Sequence, residues 1–205
     1  ISDCLVGSEM CIRDRYKTRK KDPFYIKAKK NDIISRAYYK LEEIDKKHNL
    51  FKNDKKILDV GCSPGGWTQY ILNKNPENKI VGIDILPTVK QIEGKFKFYM
   101  MDLNQYQLID ELFTLNKYTF DSIISDIAPN TSGNQFLDQT NSYILSMLSA
   151  KFIEKYLNKG GNFLVKNFQG EDTEKLFKFV KTYFDKTQYI KPVSYTHLTL
   201  PTTTI

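Results

Sequence analysis

The chain has 205 residues, with 31 Lys+Arg against 24 Asp+Glu and a formal net charge of +7. That length suits one domain whose core needs no disulfide or metal staple. No run approaches the ~18 apolar residues of a membrane helix, and no N-terminal signal pattern is present, so a membrane partner is excluded. Three cysteines (Cys4, Cys11, Cys62) make neither a disulfide framework nor a zinc-site spacing, so no metal is expected.

The basic excess is built from 27 Lys and only 4 Arg. It favours an anionic partner such as nucleic acid, although a lysine-coated soluble surface explains the same numbers. The ends differ from the middle. Residues 1–16 hold no Lys, and residues 193–205 hold no charged residue but five Thr. Both are read as non-native extensions. The body, 17–192, carries a net charge of +8. It divides into a basic N-terminal arm, 17–34, and a domain over 35–192.

In the arm, lysines alternate with Phe24 and Tyr25. The first predicted helix runs from Ser35, its N-cap, to His48, with Ala37, Leu41 and Ile44 on one face. Strands are expected at 56–60, 79–85, 95–101, 120–127, 162–167 and 188–191. Helices are expected at 66–73, 105–115, 139–157 and 171–184. Apolar pairs such as Ile57-Leu58 and Ile123-Ile124 suit strands buried on both faces. Alternating β and α units predict an α/β fold: a mostly parallel central sheet with helices on both faces. Ligands of such sheets sit at the carboxyl ends of the strands.

The first strand runs into Gly61-Cys62-Ser63-Pro64-Gly65-Gly66-Trp67. Gly61 permits a sharp turn, and Gly65 and Gly66 permit close approach of a ligand. The loop matches neither GxGxxG nor a P-loop, and a plain Gly/Pro turn explains it equally. Asp84 ends the second strand 23 residues after Gly61, where an acidic residue can accept from ribose hydroxyls. Asp102 ends the third, placed for an adenine amino group. Each also suits a turn-forming carboxylate. Asp126 ends the fourth strand and Lys166 the fifth. A lysine ending an apolar strand is costly unless it is paired or at a cleft mouth. Snorkelling to the surface is the alternative. Lys40, on the first helix, completes the set.

These stretches resemble the FtsJ (RrmJ-type) family of S-adenosylmethionine-dependent RNA ribose 2′-O-methyltransferases. The matching segments are Ser35–Leu41, Asp59–Trp67, Ser125–Gly133 and Leu164–Gly170, in the family's order, and the similarity covers most of 24–192. The resemblance implies a Rossmann-like methyltransferase fold and S-adenosyl-L-methionine as cofactor, bound by Gly61, Gly65, Gly66, Trp67, Asp84, Asp102 and Asp126. It implies that Lys40, Asp126 and Lys166 are three of a catalytic Lys–Asp–Lys–Glu tetrad. The family's Glu follows a Lys-Pro pair. Lys191-Pro192 matches that pair, but no Glu occurs after Glu174, so the fourth member and the last strand are expected to be missing or replaced.

Methyl transfer to a ribose hydroxyl needs a base as the C–O bond forms. Lys166 is expected to be that base, with Asp126 positioning it and Lys40 tuning it and holding the 2′-oxygen. The arm is the expected RNA contact; Phe24, Tyr25, Tyr38 and Tyr39 either stack on bases or pack, and at least two are expected to pack. The substrate implied is a uridine of large-subunit ribosomal RNA, or the large subunit itself. A tRNA substrate and a truncated RNA-binding protein with little catalysis are the alternatives. A nicotinamide dehydrogenase fits the fold but not the Pro64–Trp67 loop. The chain is expected to be a monomer, cytoplasmic, or organellar or nucleolar in a eukaryote.

Overall fold

The computed structural model describes residues 23–52, 55–88 and 92–190, with the backbone of 202–204. Residues 1–16, the first part of the arm, and Lys191-Pro192 lie outside them. The elements are α1 (Pro23–Lys30), α2 (Ala37–His48), β1 (Lys56–Val60), α3 (Gly66–Lys74), β2 (Lys79–Asp84) and β3 (Phe96–Met100). After a 3₁₀ turn at Leu103–Gln105 come α4 (Tyr106–Leu115), β4 (Phe120–Ser125), α5 (Gln135–Ala150), α6 (Phe152–Tyr156), β5 (Leu157–Phe168), α7 (Thr173–Lys181) and β6 (Thr202–Thr204).

The strands form one sheet in the order β3-β2-β1-β4-β5-β6. The first five are parallel, and β6 lies antiparallel along Lys166–Phe168. The expected α/β architecture is therefore present. The order reverses between β1 and β4, and in such sheets the crevice at the reversal holds ligands. Parallel strands must be covered on both faces, which is why β1 and β4 read as apolar runs. On one face α2 and α3 pack Leu41, Ile44, Trp67 and Ile71 against Ile57 and Ile124. On the other, Phe113, Phe120, Phe152 and Tyr156 build an aromatic core over Leu58 and Ile123.

Four expectations change. Residues 188–191 form no strand among the described residues; Ile190 makes a single bridge and packs against the α2–α3 core. The predicted helix 139–157 begins earlier, because Asn134 caps it by accepting from Leu137 N, and it divides at Lys151. β5 starts at Leu157 rather than Asn162, through a bulge between its pairings to Phe120 and Ser122 that Gly160, at φ +79°, permits. Ser35 does not cap α2: Arg36 takes that place without a side-chain cap. The arm contributes α1, opened by Pro23 at its first turn, a favoured place for proline. Three of the four aromatics pack. Tyr39 is buried against Phe24, and Tyr38 meets Tyr70 edge-on, while Tyr25 stays exposed.

Candidate active site

The loop after β1 is shaped by close approaches. Gly61 has φ +73°, and a Cβ there would lie 2.5 Å from Cβ of Ile127, the residue after Asp126. The β1 and β4 loops are thus packed against each other. Gly65 has φ +112° and stands at the N-terminus of α3. Gly66 admits α2: a Cβ would lie 2.1 Å from Ser35 Oγ. That hydroxyl is buried without a hydrogen-bond partner. Gly66 is therefore needed for helix packing, in addition to the ligand approach expected of it. Trp67 is buried and donates Nε1–H to the Ala37 carbonyl (3.0 Å), tying α3 to the start of α2.

Asp84 accepts from the Ser63 and Leu86 backbone N–H groups (2.8 and 2.9 Å), so it clamps the β1 loop to the β2 end. Asp102 accepts from Asn104 N–H (2.9 Å) through Oδ1 and so caps the 3₁₀ turn. It stays at the β3 end, apart from the lysines.

The two lysines converge. Lys40 Nζ lies 2.8 Å from Asp126 Oδ1, and Lys166 Nζ lies 3.0 Å from the same oxygen. Lys166 also donates to the Asp126 main-chain carbonyl at 2.6 Å. Side-chain exposures are 2% for Lys40, 8% for Lys166 and 19% for Asp126, so neither lysine snorkels to the surface. Lys40 Nζ also sits 5.2 Å from the Trp67 ring centroid, within cation–π range. Burial drives Lys40 below the ordinary lysine value, against the pull of Asp126 and with help from the Arg36 guanidinium. Burial pushes Asp126 up, but Lys166 and Lys40 outweigh it and hold the carboxyl below its usual range. A carboxylate clamped by two buried ammonium groups is a charged centre at the sheet's reversal point.

Sequence reasoning missed Asp59. It lies inside β1 and is buried; Oδ2 accepts from Thr68 Oγ1 at 2.7 Å, while Oδ1 has no partner. Burial pushes its carboxyl up to about 7, opposed by the Thr68 hydroxyl and reinforced by Asp126 and Asp84. An acidic residue within the apolar run Ile57–Val60 was the available signal.

A parallel sheet of this order, with a Gly-rich loop after β1 and carboxylates ending β2, β3 and β4, defines a Rossmann-like cofactor-binding enzyme fold. The model of the FtsJ-like methyltransferase family matches residues 33–196, and the chain belongs to that family. It is thus a methyltransferase by family, which implies a methyl donor. The chain is 40% identical over 170 residues to the ribosomal RNA large subunit methyltransferase E of Buchnera aphidicola, covering 82% of each chain. It is 39% identical over 173 residues to the enzyme of that name from a Wolbachia of Brugia malayi, covering 84% of this chain and 77% of the relative. The crystal structure described as a ribosomal RNA methyltransferase from Plasmodium falciparum superimposes with a TM-score of 0.70 at 30% identity, over 83% of this chain and 94% of that one. Among the described residues, no helix is long and apolar enough to cross a membrane.

Proposed function

We propose that the protein transfers a methyl group from S-adenosylmethionine to a ribose 2′-hydroxyl of large-subunit ribosomal RNA. The observation that carries this reading is the convergence of Lys40 and Lys166 on one oxygen of Asp126. The names of the relatives support ribosomal RNA as substrate. The exposed lysines of α1 (Lys27, Lys29 and Lys30) supply charge for phosphates.

The residues fit this cofactor. Asp84 holds a carboxylate against the β1 loop, and the buried Oδ1 of Asp59, which has no hydrogen-bond partner, suits a ligand that brings a donor or a positive charge. Gly61, Gly65, Gly66, Trp67, Asp84, Asp102 and Asp126 would hold it, with Asp84 directed to ribose hydroxyls and Asp102 to the adenine amino group. When bound, S-adenosylmethionine supplies an electrophilic sulfonium methyl.

In its neutral amine form, Lys166 Nζ takes the proton from the ribose 2′-hydroxyl as that oxygen attacks. Lys166 is the better placed lysine because it is the more accessible of the two and is aimed by two acceptors of one residue, Asp126 Oδ1 and its carbonyl. Asp126 positions the amine. Lys40, enclosed below Trp67, keeps Asp126 ionised and holds the oxygen that becomes the methyl ether. Alignment of hydroxyl and methyl supplies much of the rate.

The test is tritiated S-adenosylmethionine with unmodified large-subunit ribosomal RNA. Lys166→Ala is expected to lose about 10²–10⁴-fold in turnover, the usual contribution of a general base. Its cofactor affinity is expected to stay unchanged. Near-normal turnover in that variant would remove Lys166 as the base. Label in tRNA rather than ribosomal RNA would move the substrate assignment.

A further inference from the structure

The stretch from Ile127 to Leu137 contains no charged residue, in a chain with 55 of them. It follows Asp126 directly and forms an exposed rim that leads into α5. Its side chains are neutral amides and hydroxyls (Asn130, Thr131, Ser132, Asn134 and Gln135), followed by Phe136 and Leu137. The Phe136 ring residue is 62% exposed. Leu137 beside it is 49% exposed, so the two form an adjacent apolar pair on an otherwise polar rim.

The rim is nonetheless firmly held. Asp138 is buried and accepts from both Ser132 N–H and Ser132 Oγ, at 2.7 and 2.8 Å. Asn134 caps α5 through Leu137 N–H. The loop is therefore tied down, with Phe136 two residues before the buried anchor. Phe136 also borders a shallow cleft shared with Tyr143 and with Phe168, two residues beyond Lys166. Across that cleft stand Glu171 and Asp172, which oppose a phosphate.

The basic helix α1 packs against α2, on the other face of the sheet from α5. Lys27 of α1 lies 4.4 Å from the ring centroid of Tyr39, the neighbour of Lys40. The α1 side of the sheet thus carries cations, while the rim after Asp126 is neutral and aromatic and shares its cleft with Glu171 and Asp172.

Resting on the reading of an RNA substrate, we infer that Phe136 is the stacking platform for a nucleobase next to the reacting ribose, and that the neutral rim, not the lysines, sets base preference. RNA-binding proteins select single-stranded bases by stacking on aromatic rings and by hydrogen bonds from neutral side chains, and bind backbones through cations. The two chemistries are here divided between the two faces of the sheet. The basic side provides affinity that weakens with salt. The rim provides a contribution that salt does not screen.

The test compares the full chain with Phe136→Ala, Phe136→Trp and Phe136→Leu. With unmodified ribosomal RNA, Phe136→Ala is expected to raise KM for RNA on the order of tenfold, the scale of one base–aromatic stack. KM for the methyl donor, kcat at saturating RNA and the salt dependence of RNA binding are expected to stay the same. Phe136→Trp restores KM and Phe136→Leu does not, because leucine has no π-face. In parallel, single-stranded oligoribonucleotides carrying 2-aminopurine are titrated without methyl donor. Quenching is expected with the unsubstituted protein and not with Phe136→Ala. An unchanged KM in Phe136→Ala, full rescue by leucine, or equal quenching in both proteins overturns the inference. If the unsubstituted protein methylates no RNA yet quenches through Phe136, the proposed reaction falls and the platform stands.

Discussion

Asp126→Asn is the most informative single change, because one oxygen holds two buried cations. The side chain keeps its shape and loses its charge, so the triad goes from a net +1 to +2. Removing one partner of a buried ion pair costs about 3–5 kcal/mol. The lower end applies here, since Lys166 retains its 2.6 Å bond to the main-chain carbonyl and the asparagine oxygen still accepts. About 3 kcal/mol is expected at pH 7, roughly a hundredfold in the unfolding equilibrium. With a slope of about 2 kcal/mol per molar urea, the midpoint falls by about 1.5 M. The loss depends on pH. Lys40 is already below its ordinary value because of burial, and removing Asp126 takes away the attraction that opposed this shift. The cost is therefore complete below the Lys40 pKa of the variant and fades as pH rises through the Lys40 pKa of the unsubstituted protein, itself below the ordinary value. Urea titrations followed by circular dichroism at pH 7 and pH 10 measure both features. A loss under about 1 kcal/mol, or one that is equal at the two pH values, would refute the view that Asp126 neutralises a buried cation pair.

Two further outcomes follow from buried groups. The Asp59 carboxyl sits at about 7 in the folded protein against an ordinary 3.8. The folded state therefore keeps a proton that the unfolded chain releases, and this group costs stability progressively from pH 3.8 up to about 7, then levels off. Asp59→Asn keeps an acceptor for Thr68 and removes that cost, on the order of 4 kcal/mol at its full extent. Its midpoint relative to the unsubstituted protein should rise between pH 5 and pH 8; a constant difference would mean that Asp59 does not bind the proton. Phe113 is fully buried at the centre of the aromatic core, with Phe120, Phe152 and Tyr156 around it. Phe113→Ala should cost about 3–5 kcal/mol in chemical denaturation, and a loss under 1 kcal/mol would show that the core closes over the cavity.

Much of this architecture was legible in the order of residues. Apolar pairs such as Ile57-Leu58 and Ile123-Ile124 present apolar side chains to both faces, which a covered strand tolerates. The helices between them show a single apolar face. These are local properties, so the alternation of β and α, and the placing of Asp84, Asp102 and Asp126 at strand ends with Lys166 near the end of β5, follow from short stretches. Where local signals mislead, a longer-range contact has prevailed. Ser35 reads as an N-cap, but its hydroxyl is taken under Gly66. Residues 188–191 read as a strand, but Ile190 is drawn to the α2–α3 core. Leu157 reads as helix, but it joins the sheet through a glycine bulge.

The sequence by itself determined the fold class, the family likeness and the set of residues from which a site can be built. Only the tertiary structure decided that Lys40, 86 residues before Asp126, and Lys166, 40 residues after it, meet on one carboxylate oxygen. It alone separated Asp102, which caps its own turn, from that centre, and brought out the buried Asp59. The physical reason is that burial and charge proximity are properties of three-dimensional distance. A lysine's neighbours along the chain do not reveal which carboxylate will face it, or how little water will remain around the pair.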